Sequence, residues 1–256
     1  MVRLNKIMTN GKALFLAYDQ GLEHGPSDFN DKNVDPNYVL DIAKKGKFNG
    51  IILHKGVVEK YYKKQLPLIL KLNGKTNILK GEPVSLQVCS VKEAIKLGAS
   101  AVGYTIYVGS RFEADMFKEF GKIEEEALKY GLPVIAWMYP RGKSVKRITA
   151  ESIEYAARVG LELGSDFVKV KYTGSISSFR KVVEAAGKCK VLCLGGSKMS
   201  DRKVLELARN AIDAGAVGMA IGRNVWQHRK PLKMARALRK IIFENKSVKD
   251  ALKILK

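Results

Sequence analysis

The sequence is poor in cysteine, histidine and acidic side chains. It has three cysteines, Cys89, Cys189 and Cys193, and three histidines. No two cysteines form a C-x-x-C pair, and no histidine stands at ligand spacing from them. A metal centre therefore has no recognisable ligand set. An odd cysteine count without an export signal points to a reducing cytosol, with the thiols packed as small apolar groups. There is no run of eighteen apolar residues, the length a membrane-spanning helix needs. Residues 1–10 are short and polar and lack the apolar stretch of a secretory signal, so a cytoplasmic protein is expected. No G-x-G-x-x-G follows the first apolar run, which weakens the case for an open dinucleotide-binding sheet.

The shortage of acids leaves a large positive charge. Lys plus Arg is 46 against 25 Asp plus Glu, a net charge of +21. Such a surplus favours anionic partners, from nucleic acids to phosphorylated metabolites. The lysines are spread along the whole chain, and glycine-rich basic strands with interleaved aromatics are absent. A basic solvated surface is the plainer reading, and no nucleic-acid or membrane partner is expected. A nucleic-acid-binding scaffold that uses the charge is the rival, marked by tight, salt-dependent RNA binding.

What the chain does have is a regular alternation. Eight short, mostly apolar runs occur: Ala13 to Asp19, Gly50 to Lys55, Pro67 to Asn73, Ala101 to Tyr107, Pro133 to Tyr139, Phe167 to Tyr172, Lys190 to Gly196 and Ala216 to Arg223. Short apolar strands of this kind suit a parallel sheet covered on both faces. Helical patterns fill most gaps. Asp35-Pro36 starts one helix, and Ser90 to Glu93 has the form of a capping box. Phe112, Met116, Phe120, Ile123 and Ala127 fall on one helical face. Eight strand–helix units in 256 residues predict a single-domain (β/α)8 TIM barrel spanning residues 1–256, with a doubly wound open sheet as the alternative.

In such a barrel the chemistry sits at the C-terminal ends of the strands. Strand six carries the strongest signal there. Val168 and Val170 alternate with Lys169 and Lys171, so both lysines share one face. Pointing inward, one would be a neutral nucleophile and the other a cation that helps to deprotonate it. Pointing to the mouth, both would be a solvated basic rim. Gly195-Gly196-Ser197 and Gly222-Arg223 end strands seven and eight, where many barrels bind phosphate, although tight turns would also call for these glycines. Tyr139 is a candidate proton donor with Trp137 two residues earlier on the same face, and a buried core pair is the alternative. Asp19 could move protons, serve as counter-ion to a lysine, or cap the following turn.

The segments that carry these residues closely resemble the archaeal-type class I fructose-1,6-bisphosphate aldolases, FbaB/DhnA-like members of the DeoC/FbaB/LacD aldolase family. The matching stretches are LAYDQGLEHGP from Leu16, PLILKLNGKT from Pro67, GASAVGYTIYVG from Gly98, YPRG from Tyr139, VKVKYTG from Val168 and IGRNVW from Ile221. The resemblance implies a barrel that needs no metal or cofactor, a Schiff base on Lys169 and an acid/base at Tyr139 with Trp137 beside it. It also implies a supporting Asp19 and a phosphate site at Gly195, Gly196, Ser197, Gly222 and Arg223. Lys171, His24 and Arg141 fall where a second phosphate contact or tuning would lie. Gln20 departs from the pattern, since relatives often carry His after the aspartate. The implied activity is the reversible cleavage of fructose 1,6-bisphosphate to dihydroxyacetone phosphate and glyceraldehyde 3-phosphate in glycolysis and gluconeogenesis. A homo-oligomer is also implied. The sibling activity on this scaffold is 2-amino-3,7-dideoxy-D-threo-hept-6-ulosonate synthase or a related phospho-ketose or diketone lyase.

Overall fold

The computed structural model describes residues 2–256. Its strands are β1 (Ala13–Ala17), β2 (Gly50–His54), β3 (Leu68–Lys71), β4 (Ala99–Val108), β5 (Val134–Pro140), β6 (Phe167–Val170), β7 (Lys190–Leu194) and β8 (Gly218–Ile221). All neighbours pair in parallel, and β8 pairs with β1, so the sheet closes on itself in chain order. The open-sheet alternative is thereby eliminated, and all eight apolar runs are strands, most of them shortened at their polar C-terminal ends.

The helices are α1 (Gln20–His24), α2 (Pro36–Lys45), α3 (Lys55–Tyr61), α4 (Val91–Lys96), α5 (Glu113–Lys129), α6 (Ala150–Glu162), α7 (Ile176–Ala185), α8 (Asp201–Asp213), α9 (Arg223–Trp226), α10 (Pro231–Ile242) and α11 (Val248–Lys253). The Asp35 carboxylate accepts from the Asn37 amide and starts α2. Ser90 accepts from the Glu93 amide at the start of α4, but the Glu93 carboxylate goes to Lys55 at 3.3 Å, so the box is closed on one side only. Met116, Phe120, Ile123 and Ala127 form the buried stripe of α5. Gly98, Gly164 and Gly215 each leave a helix with positive φ, which a residue with a Cβ rarely adopts.

The pleat separates two cores. Residues such as Leu14, Ile51, Leu70, Val102, Met138, Val168 and Val170 point outward under the helices. Ile7, Ala13, Phe15, Ile52, Ile69, Ala101, Ile135, Phe167, Leu192 and Ala220 fill the barrel interior. A filled interior closes the N-terminal end and leaves the polar residues at the other end as the floor and walls of the mouth. The three cysteines are free and buried. No group of three His, Cys, Asp or Glu side chains that could hold a metal ion occurs among the described residues. No described helix is long and apolar enough to cross a membrane.

Candidate active site

Strand alternation decides which side chains enter the mouth. β5 and β6 align Trp137 with Lys169, and β4 and β5 align Thr105 with Trp137 and Tyr107 with Tyr139. These residues share the inner face. Tyr104, one residue out of phase, points outward instead and donates to Glu119 of α5. The mouth holds a cavity of about 220 Å³. Asp19, Gln20, Glu23 and His24 wall it from the β1 side, Tyr139, Arg141 and Lys169 from β5 and β6, and Gly195, Gly196, Gly222 and Arg223 from β7 and β8.

Lys169 lies at the base of this cavity and is 6 % exposed. Its Nζ sits 4.8 Å from the centre of the Trp137 ring. Burial lowers its pKa, with Asp19 and Glu23 pulling in the opposite direction. Desolvation penalises the ammonium and favours the free amine, the form that attacks a carbonyl. Tyr139 is displaced the other way: burial first, then Glu23, Asp19 and Tyr107, hold its phenol well above the ordinary value. Its resting form is therefore the protonated acid. Tyr107 stacks obliquely on Tyr139 at 6.4 Å, and its hydroxyl donates to Glu23 at 3.4 Å.

On the opposite wall, Asp28 accepts from His24 Nδ1 at 2.8 Å and lies 3.5 Å from the Arg223 guanidinium. Asp28 thus fixes the His24 imidazole and the Arg223 guanidinium at the rim. The glycines are sterically required: a Cβ on Gly195 would meet Ile221, and one on Gly222 would meet Gln20 and the Ala17 carbonyl. Gly196 has φ +64°. The tight-turn reading therefore holds, and the same turns bring bare backbone to the cavity wall. The Asn224 side chain joins the two loops, accepting from the Met199 amide at 2.8 Å and donating to the Gly195 and Ser197 carbonyls at 2.9 Å each. Four lining residues carry a buried polar atom with no protein partner: Gln20 Oε1, Thr105 Oγ1, Trp137 Nε1 and Arg223 Nε. Buried polar groups are nearly always paired, so a cavity with four orphans is shaped for a polar ligand.

Two residues expected at the site lie outside it. Lys171 follows the end of β6, is exposed and does not line the cavity, because the strand stops at Val170 and the alternation ends with it. Ser197 is likewise exposed and contributes its carbonyl to Asn224. The buried second lysine comes from β3 instead. Lys71 is 2 % exposed, and its ammonium donates to the Asn73 carbonyl at 2.9 Å and to Asn73 Oδ1 at 2.5 Å. Burial pushes it down to about 8, with Lys169 adding to the fall and Glu23 and Asp19 opposing it. The sequence held a signal for this pair. The polar K-x-N ends the apolar run PLILKLN in the way that K-x-K ends strand six.

Comparison with known proteins agrees with this geometry. Residues 13–228 match the model of the DeoC/LacD family aldolases. The chain is 50% identical to the class 1 fructose-bisphosphate aldolase of Thermoproteus tenax, over 95% of this chain and 94% of that protein. It is 39% identical to the fructose-bisphosphate aldolase/6-deoxy-5-ketofructose 1-phosphate synthase of Methanocaldococcus jannaschii, over 95% of this chain and 86% of the relative. One solved structure is an archaeal fructose-1,6-bisphosphate aldolase with its catalytic Lys covalently bound to the carbinolamine intermediate of the substrate. It superposes with a TM-score of 0.90 at 50% identity, covering 93% of this chain and 97% of that one. A closed parallel barrel with a buried amine at its mouth, matched by family and by relatives over nearly its whole length, places the chain in the DeoC/LacD family of aldolases.

Proposed function

We infer that the chain is a class I fructose-bisphosphate aldolase in which Lys169 forms the Schiff base. The observation that carries this reading is a desolvated lysine amine at the base of a polar cavity, beneath glycine loops and cationic side chains suited to phosphate. The Lys169 amine attacks the ketone carbonyl of fructose 1,6-bisphosphate and gives a carbinolamine. Tyr139, a phenol at rest, protonates the departing hydroxyl, and water leaves an iminium; Asp19 assists these steps from the facing loop. The Tyr139 phenolate then takes the C4 hydroxyl proton. The C3–C4 electrons flow into the iminium, and glyceraldehyde 3-phosphate leaves. Tyr139 returns the proton to C3 of the enamine, and hydrolysis releases dihydroxyacetone phosphate and the free lysine.

Arg223 with the Gly195–Gly196 and Gly222 turns would hold one phosphate, and His24 with Arg141 the other. No metal or other cofactor is required, because the iminium supplies the electron sink. A cytoplasmic homo-oligomer acting in glycolysis or gluconeogenesis completes the reading. The strongly exposed Ile78 and Leu79 on the β3–α4 connection support self-association. The test is borohydride reduction with dihydroxyacetone phosphate, peptide mapping, and assay of Lys169→Met. Modification at Lys169 and loss of both adduct and cleavage are expected. An active, trappable Lys169→Met protein would refute the assignment. Turnover of fructose 1,6-bisphosphate is compared with that of the heptulosonate synthase substrates, and preference for the latter would move the enzyme to the sibling activity.

A further inference from the structure

The four unpaired polar atoms of the cavity fall into two groups. Gln20 of α1 and Arg223 of α9 stand on the wall of the glycine turns, whereas Thr105 of β4 and Trp137 of β5 stand on the side of Lys169. The steps above give Thr105 no part. Its side chain is 1 % exposed, and no protein atom pairs with its hydroxyl. A buried hydroxyl without a partner is costly, and a valine would fill the same space without that cost. The residue is nevertheless held firmly. Its amide donates to Asn73 Oδ1 at 2.8 Å, and its carbonyl accepts from Asn73 Nδ2 at 2.8 Å. A β-branched side chain on a fixed backbone has few rotamers, so the hydroxyl keeps its direction.

That direction is toward the reacting amine. Thr105, Trp137 and Lys169 form one rung across β4, β5 and β6 and share the inner face. Gly103 lies two residues before Thr105 on the same face, and a Cβ there would lie 1.9 and 2.0 Å from two carbons of the Trp137 six-membered ring. The indole therefore covers Gly103, and Thr105 stands on its mouth side. Lys169 Nζ is 4.8 Å from the indole centre. Amine and hydroxyl thus rise from one indole floor into one cavity, with Tyr139 two residues beyond Trp137 on β5. The donor inventory separates their tasks. The Trp137 N–H and the resting Tyr139 phenol offer protons, whereas a threonine hydroxyl both donates and accepts. An oxygen that passes from carbonyl to hydroxyl to water needs a partner of the second kind.

We propose that Thr105 is a further catalytic residue, whose hydroxyl holds the substrate's C2 oxygen while that oxygen changes from carbonyl to hydroxyl to departing water. This rests on the reading of Lys169 as the Schiff-base lysine. When the Lys169 lone pair bonds to C2, the carbonyl π pair moves to oxygen and Thr105 donates to it. A proton passes from the new ammonium to that oxygen, and the carbinolamine hydroxyl then donates to Thr105. Tyr139 adds the second proton. The C2–O bond breaks with its pair leaving on water, and the nitrogen lone pair closes the iminium. Thr105 gains and loses nothing. In the hydrolysis after cleavage, the same hydroxyl presents water to the iminium carbon.

The experiment is rapid-quench mixing of enzyme with dihydroxyacetone phosphate into borohydride, followed by adduct mapping, in wild type, Thr105→Val and Thr105→Ser. Borohydride reduces the iminium and leaves the carbinolamine, so the rate at which trapped adduct appears reads the loss of water. Thr105→Val keeps the shape and removes the hydroxyl, and the rate should fall about tenfold, the effect of one hydrogen bond made in the transition state. Thr105→Ser keeps the hydroxyl and should keep the rate within about twofold of wild type. An unslowed Thr105→Val overturns the proposal. So does an equal loss in Thr105→Ser, which would trace the effect to packing of the methyl group. If Thr105→Val does not fold, Thr105→Ala removes the hydroxyl without added bulk and reads the same rate. An adduct on Lys169 that forms at the wild-type rate in Thr105→Val refutes the role of Thr105 alone. Absence of an adduct on Lys169 in the wild type refutes the underlying reading.

Discussion

Asn224 offers the sharpest link between packing and binding at this site. Its side chain is 3 % exposed and makes three hydrogen bonds that tie the loop after β7 to the loop after β8. Asn224→Ala removes all three and leaves an amide and two carbonyls without their partner, the Gly195 carbonyl in a fully buried setting. At about 1 kcal/mol net for each bond, the loss is about 3 kcal/mol. For a chain of this size that corresponds to a fall in Tm of about 6 to 12 °C. Asn224→Asp is the stricter version. It keeps the acceptor for the Met199 amide but turns a carboxylate oxygen toward the Gly195 and Ser197 carbonyls, so it should destabilise at least as much as alanine. Because both loops wall the proposed phosphate site, the functional effect should appear in KM, rising about tenfold (about 1.4 kcal/mol), with kcat changed less than about threefold. Differential scanning calorimetry and steady-state kinetics on both variants read the two effects. A Tm within about 2 °C of wild type, or a lost kcat at unchanged KM, would refute the view of Asn224 as the stitch between phosphate loops.

Two further outcomes follow from the geometry. Gly103→Ala should displace the Trp137 indole, since the added methyl would occupy the ring's place; kcat should fall by about 10²-fold with little change in far-ultraviolet circular dichroism, and full activity would disprove the packing argument. His54 is pushed down to about 4, by burial first and then by Lys71, and Asp19 opposes the shift. Its folded value lies below the unfolded one, so the unfolded chain binds the proton first as pH falls. The contribution is complete above about pH 6.5 and is lost progressively toward pH 4, roughly 3 kcal/mol in all. Urea unfolding of His54→Gln should show a flatter pH dependence in that window, and an unaltered slope would count against a neutral, buried His54.

The sequence by itself determined the order of strands and helices and which strand-end side chains stand near the mouth. Eight apolar runs separated by capped amphipathic segments call for a parallel sheet covered on both faces, and their number favours the barrel; closure itself, against the open sheet, rests on the pairing of β8 with β1. The alternation of Val168, Lys169 and Val170 decided that the lysine opposes two helix-facing valines, as the packing bears out. Asp19, Trp137, Tyr139 and Arg223 could be named because strand ends are local features. The tertiary structure alone decided where the alternation stops. β6 ends at Val170, so Lys171 falls to solvent. The same holds for contacts between distant strands. Lys71 and Lys169 approach the same Trp137 indole only because β4 lacks a side chain at Gly103. Asn73 and Asn224 act by joining strands and loops whose spacing in the sequence carries no trace of their spacing in the fold. Hydrophobic periodicity is short-ranged and legible, whereas a burial-shifted amine depends on which charges closure brings together.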